Sequence, residues 1–246
     1  MRDPDAALLA LDAGNTRIKW GVHDGHAWGA RGAIDTARSA SLYEALRDAL
    51  PVDRAIASNV AGMEVRTRIE EACARAGVAV DFIAAVREQC GVRSLYADPA
   101  QLGSDRWAAL VAAHHGEKGH KLVVNAGTAL TVDALSASGE FLGGLIVPGP
   151  ALMRRSLDRG TAGLRLTEGA YRDLPRSTPD AITSGALQAC VGAIERLGKA
   201  MASHGAAPDR IILSGGAAKE IEAMLPYAHT HRESLVLEGL LLIARC

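Results

Sequence analysis

Two short runs hold most of the residues able to do chemistry. The first, Leu8 to Val22, reads LLALDAGNTRIKWGV and interrupts an apolar stretch with Asp12, Gly14, Asn15, Thr16, Arg17 and Lys19. The second, Leu122 to Leu135, reads LVVNAGTALTVDAL and places Asn125, Gly127, Thr128 and Thr131 at matching points. A glycine where a strand reverses lets backbone N–H groups approach a ligand, or form an anion-binding nest, that a Cβ would obstruct. Asn15, Thr16 and Lys19 add donors to the first turn, and Thr128 and Thr131 to the second. Asp12 suits a magnesium ion held through water, because a hard cation that keeps its waters takes carboxylate oxygens. Either turn alone is ordinary punctuation. Two in matching context, beside one carboxylate, make a phosphate clamp. Neither run has the spacing of a Walker A loop or a G-x-G-x-x-G fingerprint.

Two further stretches could complete a site. QLGSDRWAALVAA sets Gly103, Ser104, Asp105 and Arg106 at the start of a helix. Asp105 there is either a helix cap or a general base facing a bound hydroxyl, and Arg106 could grip a carboxylate with two parallel bonds. RIILSGGAAKEIEAML ends a strand at Gly215 and Gly216. Backbone of that kind can lie against a flat ring or a ribose, or simply pack a strand tightly on a helix. His114, His115, His229 and His231 lack ligand-spaced partners, so no zinc site is expected. The G-x-S-x-G and H-E-x-x-H signatures are missing, which removes the corresponding hydrolase and zincin readings.

The elements that must position these residues follow from periodicity. Leu8–Leu11 is a continuous apolar run, and Ile18, Trp20 and Val22 alternate with polar residues, so the first run is strand, glycine turn, strand, with a third strand at Trp28–Ile34. A helix over SLYEALRDAL, a strand over RAIASNV, a helix over EVRTRIEEACARAG closed by Gly77 and a strand over VAVDFI come next. After the helix SDRWAALVAAHHG the pattern restarts at Lys121; HTH at 229–231 reads as loop. The fold class is α/β with mixed sheets and one internal duplication, divided into residues 1–117 and 118–246.

Composition narrows the function. A chain of 246 residues can bury roughly 70–75% of its unfolded surface. Its 27 basic and 28 acidic residues are spread evenly, which excludes the basic field that nucleic acid or an anionic membrane requires. Cys73, Cys90, Cys190 and Cys246 form no C-x-x-C pair and read as buried or free thiols of a reducing compartment. The start MRDPDAALLALDAG has no basic leader, and LVLEGLLLIA is too short to span a bilayer and carries Glu238. A soluble cytoplasmic protein with small-molecule partners is expected.

Taken in order, DAGNTRIK, GSDR, NAGTALTVD and GGLIVPG resemble the motifs of the type III pantothenate kinases, and DAGNTRIK is similar to the first phosphate motif of the acetate and sugar kinase, Hsp70 and actin superfamily. The likeness runs from Leu8 to at least Gly216. It implies two duplicated ribonuclease H-like subdomains around a central nucleotide cleft, the actin-like ATPase fold. It also implies ATP-dependent phosphorylation of the primary hydroxyl of pantothenate, the first step of coenzyme A biosynthesis. On that resemblance Asp12, Ala13, Gly14, Asn15, Thr16, Arg17, Ile18 and Lys19 hold the ATP phosphates and magnesium, Thr128 meets them from the second hairpin, and Gly215 and Gly216 lie at the nucleotide. Asp105 takes the proton from the hydroxyl, while Tyr96, Gly103, Ser104, Asp105 and Arg106 bind pantothenate. Thr178, within STPDAITSG, reaches the pantothenate of the neighbouring subunit in a homodimer. One position departs from the family: an aspartate that holds potassium or ammonium at the start of the second motif is here Asn125, which is expected to weaken that cation site. An accessory regulatory protein of the same fold, or a kinase for another small hydroxy acceptor, are the alternatives; intact Asp12, Lys19 and Asp105 favour catalysis.

Overall fold

The computed structural model describes residues 6–160 and 168–246; residues 1–5, read above for a leader, lie outside them. The chain divides into two compact units. One comprises residues up to Gly116 together with Ser234–Cys246, and the other is Glu117–Glu233.

In the first unit β1 (Leu8–Ala13), β2 (Arg17–His23) and β3 (Trp28–Asp35) form an antiparallel meander. The short helix α1 (Leu42–Leu46) leads to β4 (Arg54–Asn59), and α2 (Met63–Arg75) leads to β5 (Val80–Phe82). The sheet order is β3-β2-β1-β4-β5, with β4 parallel to β1 and β5 parallel to β4. Parallel neighbours need a crossover connection, which is why the polar helical stretches fall between these strands. Leu8 to Leu11 read as an unbroken apolar run because β1 is central and buried on both faces. Leu9, Leu11 and Ala13 pack with Leu42 and Leu46 of α1 and Ile69 and Cys73 of α2. Beyond β5 come a hairpin, β6 (Glu88–Gln89) with β7 (Val92–Ser94), and then α3 (Ser104–Gly116).

The second unit repeats the plan. β8 (Lys121–Ala126), β9 (Ala129–Leu135) and β10 (Glu140–Pro148) form the meander. Helices α4 (Pro150–Gly160) and α5 (Thr178–Ser203) precede β11 (Arg210–Ser214), and α6 (Ala218–Ile221) leads to β12 (His229–His231). Its strands run in the order β10-β9-β8-β11-β12, with β11 parallel to both β8 and β12. Leu122, Val124, Leu130 and Val132 pack with Leu187, Cys190 and Ile194 of α5 and Ile221 of α6. Ser177 begins α5 with its hydroxyl accepting from the Asp180 N–H, and Pro179 stands in the first turn, a helix start that conforms to capping rules.

Several expectations need correction. The division at 117/118 assigned everything from Lys118 onward to the second unit, but the last helix, α7 (Leu235–Arg245), packs on α3, β1 and β4 of the first. A Cβ on Gly239 would overlap the Ala108 carbonyl, so the two helices touch backbone to backbone. The stretch SLYEALRDAL yields only the short α1 followed by a 3₁₀ turn, and HTH is the edge strand β12 rather than loop. Cys73 and Cys190 are buried free thiols, each pushed up to about 11 by burial. Cys90 and Cys246 are not free: they are joined as a disulfide with Cα atoms 6.0 Å apart, tying the β6–β7 turn to the residue that closes α7. Among the described residues, no helix is long and apolar enough to cross a membrane.

Candidate active site

Asp12 stands near the end of β1, in register with Lys19 on β2 and Ser58 on β4. The turn that follows is closed by the Gly14 N–H donating to the Arg17 carbonyl at 3.0 Å. Thr36 braces it: its hydroxyl donates to the Gly14 carbonyl at 2.7 Å and its N–H to the Thr16 carbonyl at 2.9 Å. Asn15, Thr16 and Arg17 are exposed at the tip. The Arg17–Asp35 pair, at 3.8 Å and mostly in water, adds little to stability. Ala13 and Ile18 are fully buried side chains of the core, so only their backbone could meet a phosphate.

Asp105 lies in the first turn of α3, and its Oδ1 accepts from the Arg106 N–H at 2.8 Å. Asp105 thus occupies one N–H of the first turn from inside the helix, not from the capping position before it. Burial nevertheless raises its carboxyl above the usual range, against the lowering pull of that N–H and of the Arg106 guanidinium. Asp12 is pushed up to about 7, chiefly by burial and then by the Asp105 carboxylate, with Lys19 acting in the opposite sense. The two carboxylates therefore feel each other inside one unit. Two hard oxygen donors under mutual repulsion suit a divalent cation, and a base whose affinity for protons is raised suits removal of a hydroxyl proton. A Cβ on Gly103 would come within 2.6 Å of the Asp105 Oδ1, so a side chain there would have to displace that carboxyl. Arg106 and Ser104 are buried, whereas Tyr96 is half-buried on the irregular stretch that leads to α3.

The second turn has the same outline without the charge. The Gly127 N–H donates to the Ala129 carbonyl at 3.0 Å, and the Gly149 N–H braces the turn by donating to the Thr128 carbonyl at 2.8 Å. Thr128 is exposed; Asn125 is half-buried, in register with Thr131 on β9 and Ser214 on β11. Gly215 has φ +101° and its missing Cβ would overlap the Ala126 carbonyl and stand 2.6 Å from the Asn125 Oδ1. Packing accounts for that glycine. Gly216 faces open space, so packing does not account for it. Thr178, at the head of α5, is exposed and lines an open cleft of ≈ 600 Å³ with Leu157, Arg176 and Ile182.

A model of the type III pantothenate kinase family matches residues 8–200. The chain belongs to this family. It is 48% identical to the type III pantothenate kinase of Aromatoleum aromaticum, across 97% of this chain and 98% of that one. It is 48% identical to that of Nitrosospira multiformis, across 97% and 91%. In three dimensions it superposes on the inorganic polyphosphate/ATP-glucomannokinase of Arthrobacter sp. strain KM with a TM-score of 0.51 at 17% identity, covering 98% of this chain and 99% of that chain. That likeness concerns the fold alone: two ribonuclease H-like units of the actin-like ATPase class.

In this pantothenate kinase family member, residues that the motifs did not point to stand beside those that they did. The Ser58 hydroxyl, at the end of β4, lies 2.8 Å from the Ser104 hydroxyl at the start of α3, both buried. The pair joins the strand beside Asp12 to the helix that carries Asp105, and a buried hydroxyl bond of this kind contributes about 1 kcal/mol. A polar residue at the carboxyl end of a buried strand next to Asp12 is the signal that could have found Ser58, since open α/β sheets present ligands there. Thr36 left no comparable trace in its sequence context.

Proposed function

We propose that the protein transfers the terminal phosphoryl group of ATP to the primary hydroxyl of pantothenate, giving 4'-phosphopantothenate. The observation that carries this reading is the placement of two carboxyls in one unit: Asp12 at the end of β1 beside the phosphate turn, and Asp105 in the first turn of α3, whose neighbour Ser104 bonds Ser58 on the strand next to Asp12. Backbone N–H groups of the Asp12–Lys19 turn, the Lys19 ammonium and the Thr128 hydroxyl hold the phosphates, and Gly216 leaves room for the nucleoside. Tyr96, Gly103, Ser104 and Arg106 hold pantothenate, and the Arg106 guanidinium takes its carboxylate. Asp105 orients the hydroxyl and takes its proton as the oxygen bonds to the γ-phosphorus; the bond from that phosphorus to the bridging oxygen breaks, and the electron pair leaves on ADP. A magnesium ion, which Asp12 would hold through water, supplies neutralisation of the phosphate charge. Positioning and charge neutralisation carry the catalysis.

Release of ADP, followed by a coupled assay with and without pantothenate, tests the reading. The expected result is ADP formation that requires pantothenate. ADP formation with a different hydroxy acceptor alone points to another kinase of the same fold, and no ATP turnover at all points to an accessory protein.

The active form is a homodimer in which Thr178 completes the partner's acceptor site. Ile146, Leu152, Leu157 and Leu174, apolar and exposed in the second unit, support a covered face. Mixing Asp105→Asn with Thr178→Ala subunits should restore part of the activity; a monomer at working concentration, or no restoration, speaks against it.

A further inference from the structure

Residues 83–103 run from β5 to α3 with no secondary structure longer than the β6–β7 hairpin and one 3₁₀ turn. Tyr96 sits on this stretch, and such a segment has few ladder bonds of its own to hold it still. One side chain supplies what the ladder does not. The guanidinium of Arg87 donates through Nη1 to the Ser94 carbonyl at 2.8 Å and to the Tyr96 carbonyl at 2.7 Å, and through Nη2 to the Ala97 carbonyl at 2.9 Å. The Arg87 carbonyl in turn accepts from the Ser94 N–H at 2.9 Å.

We propose that Arg87 is a positioning residue for the phosphoryl acceptor: by gathering the carbonyls of Ser94, Tyr96 and Ala97 on one guanidinium it fixes the backbone from which Tyr96 meets pantothenate. The inference rests on the reading of Tyr96 as an acceptor-binding residue. Three carbonyls converging on one cation leave that backbone a single arrangement. The planar fork of arginine can serve several oxygens at once, whereas a lysine ammonium at the end of a flexible stem is a point charge that does not reproduce the geometry.

The clip is also referenced to the catalytic helix. Within the loop it closes, the Gln89 Oε1 accepts from the Trp107 Nε1 of α3 at 3.1 Å, and the Cys90 carbonyl is 2.9 Å from the His115 Nε2 at the far end of that helix. On its carboxyl side the Asp98 Oδ1 accepts from the Ala100 N–H at 3.0 Å and starts the 3₁₀ turn leading to Gly103. Arg87 thus closes a short path between Tyr96 and Asp105 that stays within the first unit.

Steady-state kinetics of Arg87→Ala, Arg87→Lys, Tyr96→Ala and the double variant Arg87→Ala/Tyr96→Ala decide the matter, with thermal melting as a control on folding. A rise of about tenfold in the KM for pantothenate is expected for Arg87→Ala, the scale of a net loss of one or two hydrogen bonds to a charged donor, with kcat and the KM for ATP within about twofold. Arg87→Lys should not restore the lost affinity, and the double variant should be no worse than Tyr96→Ala. If Tyr96→Ala raises the KM for pantothenate and Arg87→Ala does not, the proposal falls while the acceptor-site reading stands. If Tyr96→Ala leaves that KM unchanged, the reading of Tyr96 falls and takes the proposal with it. Parallel losses for ATP and pantothenate together with a lowered Tm reduce Arg87 to a structural residue and likewise overturn it.

Discussion

The two units share strand order, pairing sense and a glycine turn between their first two strands, yet differ in what that turn carries. In the first, Asp12, Lys19 and the nearby Asp105 concentrate charge at the carboxyl end of a central strand. In the second, the matching positions hold Asn125 and Thr131, and the turn offers neutral donors. Duplication copied the scaffold and left the charges on one side. An α/β sheet of this order can fix a turn rigidly whatever the turn contains, so electrostatics can diverge without cost to the core.

Substitutions at paired places test that asymmetry. Asp105→Asn keeps the size and local hydrogen bonding of the side chain but removes the base, so turnover should fall by about 10²-fold or more, while the melting temperature stays near that of the wild type. A turnover within a few-fold of the wild type would reduce Asp105 to a cap.

Asp12→Asn should separate function from stability. Its carboxyl is raised to about 7 from the 3.8 of an exposed aspartate. The folded chain therefore binds a proton that the unfolded chain has released, and stability falls as pH rises from about 4 to about 7. The asparagine variant escapes that penalty. Relative to the wild type its gain should be near zero at pH 4 and greatest at pH 8, up to about 4 kcal/mol. Thermal melts in EDTA without nucleotide measure it; an equal offset at every pH would show that Asp12 titrates normally.

In the second unit Thr128→Ala removes one neutral hydroxyl and should raise the KM for ATP by about three- to tenfold, far less than the loss in turnover expected for Asp105→Asn. A loss as large as that of Asp105→Asn would erase the asymmetry.

The smallest effect is expected at Asn125. Its amide oxygen can coordinate a monovalent cation but lacks the full charge that offsets stripping water from it. Turnover should depend weakly on potassium at constant ionic strength, and Asn125→Asp should increase the dependence by making the two turns alike in charge. A wild-type enzyme inactive without potassium would show that other groups build the site.

The meanders and both turns were legible because their signals are local: alternation after Ile18 and after Leu130, and a glycine at each reversal. Asp105 was legible as a helix start with two readings, and its raised carboxyl, which depends on burial between elements, could not be seen in the string. The segment that forms α7 was legible only as an apolar run too short to span a bilayer, because Leu235, Val236, Leu237, Leu240, Leu241 and Ile243 are apolar on nearly every side and name no partner face. The Cys90–Cys246 pair is separated by 156 positions, beyond any spacing rule. Arg87 looks like any surface arginine until the carbonyls it gathers are placed around it.

The placement of α7 also has a consequence for the order of assembly at the ribosome. Glu117–Glu233 is continuous and can collapse as soon as it emerges, whereas the first unit must wait for Leu235–Arg245 to cover α3 and β1. The half that is synthesised first is completed last. A nascent chain stalled before Leu235 exposes the flank of α3 around Ala108, the surface a chaperone would hold until the last helix arrives.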